Sequence, residues 1–209
     1  MIRELDAVEA RVLAVLVEKQ HTVPDSYPLS LNTLTLGCNQ KTARDPVMNL
    51  SEADVLEALA GLKEMSLVNE VSGSRVVRFD HNLRRGYGVP GQAEAVLAVL
   101  VLRGPQTAAE LRLNCERLHR FADVSSVEGF LDELAAREPA LAVKLPRAPG
   151  AREARWAHCL SGTPALTSAA APVAAGDTPL AQEVQALRTE LDELKAQVAR
   201  LLSALDMAP

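Results

Sequence analysis

Hydrophobic residues recur along the first 160 positions with two alternating periods, one helical and one of two residues. Leu5, Val8, Val12, Leu13, Val15 and Leu16 fall at helical spacing with Glu9, Arg11, Glu18 and Lys19 between them, which predicts a first helix over about residues 5–19. A shorter helix is expected after Tyr27-Pro28, with Ser30 as its N-cap. Ser51-Glu52-Ala53-Asp54 has the form of a capping box, and Leu50 and Val55 are spaced to close a hydrophobic staple, so a third helix runs on through Leu56, Leu59 and Leu62. The period then changes to two. Residues 67–71 and 75–79 alternate as strands around the turn Ser72-Gly73-Ser74.

The same order appears a second time. Val12-Leu13-Ala14-Val15-Leu16-Val17 recurs identically from Val96 to Val101, an offset of 84. The L-x-L-x-C pattern of Leu34, Leu36 and Cys38 recurs in Leu111, Leu113 and Cys115, an offset of 77, and Leu56-Glu57-Ala58-Leu59-Ala60 matches residues 131–135 at an offset of 75. In the second copy Ser125-Ser126-Val127-Glu128 opens the third helix, and residues 142–145 and 155–158 form strands around a turn at 146–150. The predicted fold class is mainly α with small β-hairpins (α+β). Three helices and a terminal hairpin in this order describe two tandem winged-helix domains, 1–88 and 89–160.

Beyond residue 160 the pattern changes again. Residues 161–178 are rich in Ala, Ser, Thr, Gly and Pro and read as a flexible linker. Over 179–207, Leu180, Val184, Leu187, Leu191, Leu194, Val198, Leu201 and Leu205 follow steps of four and three, a heptad seam that predicts a coiled-coil helix and self-association as a homodimer. Glu183 and Glu190 lie five positions before Arg188 and Lys195, the spacing of g-to-e pairs in a parallel dimer, with a trimer as the alternative.

Tyr27-Pro28-Leu29-Ser30-Leu31-Asn32-Thr33-Leu34, the run Cys38-Asn39-Gln40-Lys41-Thr42-Ala43-Arg44-Asp45-Pro46-Val47 and the following Leu50-Ser51-Glu52-Ala53 resemble the YceH family of bacterial proteins. The resemblance covers roughly residues 3–160. It implies a tandem winged-helix fold and no established activity.

Composition narrows the function. Lys and Arg number 22 against 27 Asp and Glu, a net charge of −5, and aromatics make up 3% of the chain. That balance argues against a generic polyanion binder and against serial base stacking. Residues 1–90 sum to −2, 91–160 to 0 and the remainder to −3. The third helices carry Glu52, Asp54, Glu57 and Glu64 in one copy and Glu128, Asp132, Glu133 and Glu138 in the other, charges that face DNA phosphates badly. The hairpin regions are basic, with Arg75, Arg78, Arg84 and Arg85 in one copy and Lys144, Arg147, Arg152 and Arg155 in the other. The polar stretch 39–49 exceeds the three- or four-residue turn of a helix-turn-helix. In it Asn39, Gln40, Lys41, Arg44 and Asp45 form either a phosphate or partner contact through Lys41 and Arg44, or a loop hydrogen-bonded into shape.

The leading expectation is a DNA-associated regulator or adaptor that contacts double-stranded DNA through Lys41, Arg44, Arg75, Arg78, Arg84, Arg85, Arg147, Arg152 and Arg155. The rival is a scaffold whose domains grip a partner chain. Catalysis is not expected: Cys38 and Cys115 occupy equivalent positions, as packing residues would, and no phosphate-loop or dinucleotide motif is present. Cys115 and His119 are half a zinc site at most, so neither metal nor cofactor is expected. The opening residues lack the succession of a signal peptide, three cysteines suit a reducing compartment, and Pro and Gly interrupt the uncharged stretch from Trp156 to Gly176, so a cytoplasmic chain with no membrane partner is expected.

Overall fold

The computed structural model describes residues 2–71 and 76–163. The turn 72–74, Arg75, most of the expected linker and the heptads from Leu180 to Leu205 lie outside the described residues.

Capping chemistry starts the helices where the sequence places it. Asp6 Oδ1 accepts from the backbone of Val8 and Glu9, both at 2.8 Å, and Glu9 Oε2 accepts from Asp6 N at 3.0 Å, which opens α1 (Ala7–Thr22). Ser30 caps α2 (Leu31–Cys38), and Ser51 and Asp54 close the capping box of α3 (Glu52–Glu64). Each such cap contributes about 1 kcal/mol. Two strands follow, β2 (Val68–Val71) and β3 (Arg78–His81), paired antiparallel with Val68 opposite His81. β3 also pairs with β1 (Leu29–Ser30), giving the sheet order β1-β3-β2.

The second strand thus begins three residues later than its alternation suggests. Phe79 is the buried residue of β3 and faces Leu29, whereas Val76 and Val77 stand 54% and 45% exposed beside the hairpin tip. After β3 the chain makes an unforeseen short helix, α4 (Leu83–Tyr87), anchored by buried Leu83 and ended by Gly88 in the left-handed region at φ 62°.

The second copy repeats the plan with α5 (Gly91–Arg103), α6 (Ala108–Asn114), α7 (Val124–Ala135), β4 (Ala142–Lys144) and β5 (Trp156–His158). Thr107 and Glu110 form the capping box of α6. The cap of α7 is Asp123, two residues before the expected serine. Its Oδ1 accepts from Ser126 N at 2.8 Å and from the hydroxyls of Ser125 and Ser126, so the serines support the cap. Gln106 and Trp156 exchange backbone hydrogen bonds at 3.0 and 2.7 Å. That bridge repeats the β1–β3 pair at an offset of 77, since Leu29 and Phe79 correspond to Gln106 and Trp156.

Residues Met1–Leu166 cluster as one compact unit. The duplicated hexamers explain why: α1 and α5 pack directly against each other, and every hexamer residue in both helices is 8% exposed or less. A helix that meets neighbours all round buries residues that a one-faced helix would show to solvent. Glu9 and Arg11, expected between the apolar positions, are accordingly 2% and 1% exposed. Burying each Leu or Val of this shared core contributes about 1.5–3 kcal/mol.

Candidate functional site

The long connection between α2 and α3 is built by side chains acting as backbone. Leu50 N donates to Asn39 Oδ1 at 2.7 Å and Asn39 Nδ2 donates to Leu50 O at 2.8 Å, so one asparagine clasps both ends of the loop. Arg11, buried in α1, donates to Cys38 O at 3.2 Å and to Pro46 O at 2.7 Å. Arg44 folds inward, giving its guanidinium to Gly37 O, Ala43 O, Gln40 Oε1 and both oxygens of Glu18, the shortest contact being 2.6 Å. Burial pushes the Glu18 carboxyl up, but the Arg44 hydrogen bonds and the charges of Arg44 and Lys19 outweigh it and hold the group below its ordinary value. Asp45 N donates to Leu102 O at 2.8 Å, tying the loop to the end of α5.

Arg44 is therefore corrected from candidate phosphate contact to internal clamp: its side chain is fully buried, and a guanidinium with every donor engaged has nothing to offer a ligand. Of the loop residues, Asn39, Gln40 and Arg44 shape the connection, whereas Lys41 is exposed and makes no ion pair among the described residues.

The hairpin arginines separate into two groups. Arg78 donates to Pro28 O at 2.7 Å and Arg155 donates to Pro105 O at 2.8 Å, the same bond in both copies at an offset of 77. Arg155 also pairs with Glu110 at 3.0 Å. These two arginines fasten each half's sheet, while the Arg155 side chain stays 51% exposed. Arg84 and Arg85 sit on α4 and not on a hairpin, with Arg84 turned to a buried carboxylate. Arg147 and Arg152 remain exposed on the connection between β4 and β5.

The third helices present their acids outward: Glu52, Asp54, Glu57 and Glu64 on α3 are exposed, as are Glu128, Asp132 and Glu133 on α7. The second helices add an apolar feature. Leu34 and Leu111 are fully buried, but Leu36 and Leu113, at the middle of each L-x-L-x-C, are 64% and 67% exposed. Asn32 Nδ2 reaches Glu52 Oε1 at 3.4 Å. Leu56, on α3, is likewise 49% exposed.

A buried ionic cluster has no local signature in the sequence. The Glu94 side chain is 1% exposed, and neither oxygen receives a hydrogen bond of normal length. Its neighbours are His21 Nε2 and His81 Nδ1, both at 3.8 Å, and Arg84 Nε at 3.6 Å. His81 Nδ1 lies 3.4 Å from Leu83 N and Nε2 lies 2.8 Å from Gln20 Oε1, a network that assigns the neutral ring with its proton on Nε2. Burial, with the charges of Arg84 and His21, pushes His81 down to about 4, and burial pushes Glu94 up to about 7 against the charge of Arg84. The one available signal is in the repeat: at the hexamer offset Glu94 matches Ala10, a small buried residue.

Cys38 and Cys115 are fully buried, and burial pushes both thiols up to about 12, the environment of packing residues and not of nucleophiles. His119 meets Phe121 edge-on with ring centroids 4.7 Å apart, and among the described residues no group of three His, Cys, Asp or Glu is placed to hold a metal. Among the same residues no helix is long and apolar enough to cross a membrane.

Residues 5–151 match the model of a family described as protein of unknown function, DUF480. A UPF0502 protein of Methylibium petroleiphilum is 67% identical over 94% of this chain and 85% of its own length. UPF0502 proteins of Burkholderia thailandensis and Cupriavidus taiwanensis are 64% and 63% identical, each over 96% of this chain and over 86% and 84% of their own lengths. Together with the Cys-Asn-Gln-Lys run that resembles YceH proteins, these matches place the chain in the DUF480 family, to which it belongs over most of its length.

Proposed function

We propose that this chain is a non-enzymatic, cytoplasmic tandem winged-helix protein that acts as an adaptor, gripping a partner protein through the exposed faces of its second and third helices. The observation that carries the reading is the repeat-equivalent exposure of Leu36 and Leu113 beside acidic helices α3 and α7. An exposed leucine at one site is ordinary; the same leucine exposed in both copies is what a duplicated partner contact requires. Acidic third helices disfavour insertion into a major groove, and two of the expected DNA-contacting arginines are engaged on proline carbonyls. The heptads from Leu180 to Leu205 supply self-association in this proposal.

Exposed Arg147 and Arg152 favour a second reading, phosphate contact by the β4–β5 connection. Two measurements separate the readings. Crosslinking and copurification from cells should recover a stoichiometric protein partner with the wild type and lose it with the Leu36→Ser, Leu113→Ser double variant. Fluorescence anisotropy with random duplex at low salt should show no binding; tight binding abolished by Arg147→Ala and Arg152→Ala would replace the adaptor reading with the DNA one.

A further inference from the structure

Beside the loop that Arg44 clamps, α1 and the ends of α5 and α6 enclose a cavity of about 250 Å³. It adjoins a second, more polar depression of about 370 Å³ that is largely open to solvent, the two sharing Ala43, Arg103 and Asn114 in their walls; the second also carries Asp45 and the Glu110–Arg155 pair. Small-molecule pockets run from about 300 Å³ upward, so the smaller space suits only a compact ligand. The charges in the smaller cavity do not balance. Glu18 is its acid, and Arg44 and Lys19 already neutralise that carboxylate at 2.6 and 3.2 Å. Arg103 and Arg117 face the same space, are exposed, and make no ion pair or hydrogen bond among the described residues.

The same space is lined by neutral Gln40, Thr42 and Asn114 over an apolar floor that includes Val99 and Leu102. Gln40 Oε1 already accepts from Lys19 and Arg44, and Asn114 Nδ2 donates to Gln106 Oε1 at 2.6 Å, which leaves Gln40 Nε2 and Asn114 Oδ1 for a ligand. Ala43, in the shared wall, is held at φ 57°, a left-handed conformation that costs a non-glycine residue about 1–2 kcal/mol. Strain of that kind persists where the surroundings over-determine the backbone, as the Arg44 clamp and the Asp45–Leu102 bond do here, and such residues cluster at ligand clamps.

We infer that this cavity binds a small organic phosphate of pentose-phosphate or mononucleotide size, with Arg103 and Arg117 on the phosphate and the Gln40–Thr42 loop and Asn114 on the polar remainder. Arginine suits the role because its planar fork pairs two phosphate oxygens at once. The loop then contributes a wall, while the cations come from α5 and the segment after α6, so the ligand bridges the two copies. This inference does not rest on the adaptor reading.

The test is isothermal titration of the full-length protein at fixed ionic strength with inorganic phosphate, ribose 5-phosphate, AMP and unphosphorylated ribose. Saturable binding of ribose 5-phosphate or AMP is expected, with ribose silent and inorganic phosphate weaker; which of the two organic phosphates binds tighter identifies the ligand class. Arg103→Gln and Arg117→Gln, both at exposed positions and verified as folded by circular dichroism, should each weaken binding at least about tenfold, the loss of one charge-assisted hydrogen bond. Absence of saturable binding by either organic phosphate at about 10 mM, a range covering affinities weaker than ordinary metabolite sites, overturns the proposal. Affinities unchanged in both variants, or ribose 5-phosphate no better than inorganic phosphate, overturn it as well.

Discussion

Replacing Glu94 by glutamine converts a buried ionisable group into a neutral one of the same shape, and the structure dictates how the effect varies with pH. The folded carboxyl is pushed up from 4.5 to about 7 by burial between α1, β3, α4 and α5, with His21, His81 and Arg84 as the titratable or charged groups facing it. A carboxyl whose folded value is raised holds a proton that the unfolded chain releases. Its stabilisation is therefore complete below pH 4.5 and is lost as pH rises through about 7. Each tenfold change in proton affinity corresponds to about 1.4 kcal/mol, so ionised Glu94 costs the fold up to about 3 kcal/mol above pH 7, and the loss between pH 5 and 8 is about 2 kcal/mol. The Glu94→Gln variant lacks this dependence. Urea unfolding of both proteins at pH 5 and pH 8 should thus show the variant gaining about 2 kcal/mol on the wild type between the two values. His81 works in the opposite direction, since its folded value, depressed to about 4, removes stability as pH falls from 6.5. Comparing the proteins at each pH removes the part of that contribution that does not depend on its contact with Glu94. A stability difference that stays constant between pH 5 and 8 would refute the reasoning, because it would mean that Glu94 is ionised and compensated in the fold throughout.

Other consequences are checked with similar means. Arg44→Ala leaves the Glu18 carboxylate with Lys19 alone and strands the carbonyls of Gly37 and Ala43, and should cost about 3 kcal/mol in urea unfolding, with Arg44→Lys recovering little because an ammonium cannot repeat the forked contacts. Cys38 and Cys115, buried with thiols pushed up to about 12, should resist iodoacetamide at pH 8 in the native protein and react after unfolding, as peptide mass spectrometry would show. Deleting residues 177–209 removes the heptads, so sedimentation should find a monomer with the circular dichroism of the remaining chain intact; a full-length chain already monomeric at micromolar concentration would defeat the coiled-coil expectation.

Much of the fold is written in local signals. The caps at Ser30 and Ser51 and the apolar period of α1 and α3 state their elements directly, because capping and amphipathicity act within a few residues. β1 is illegible for the opposite reason: two residues carry no period, and Leu29 becomes a strand only because Phe79, fifty residues on, arrives beside it. The fates of Arg11 on α1 and Glu94 on α5 share that origin. A helix read alone is assigned one buried face, yet α1 and α5 bury a second face in each other, and charges expected in solvent are enclosed and must find carbonyls, carboxylates or protons. For the candidate site, the loop is legible as unusual and not as a clamp, since its partners Glu18 and Leu102 belong to other elements. The repeat holds further information: Arg78 and Pro28 recur as Arg155 and Pro105 at one offset, the mark of a structural bond.

Duplication supplies an internal control for every position. Where both copies bury a residue, as with Cys38 and Cys115 or Leu34 and Leu111, packing is sufficient cause. Where both copies repeat a side-chain bond, as Arg78 and Arg155 do, the bond is sufficient cause. Leu36 and Leu113 have neither cause, because each is about two-thirds exposed. If one partner chain grips both leucines, the second contact is intramolecular once the first has formed, and its contribution is an effective concentration and not a simple sum. Leu36→Ser alone and Leu113→Ser alone should each then remove most of the affinity for that partner, by a factor on the order of 100 for a tethered contact. The double variant should add little beyond either single one in a pull-down. If each single substitution instead halves the amount of partner bound while leaving its affinity unchanged, the two faces bind separate molecules and the copies act as independent modules.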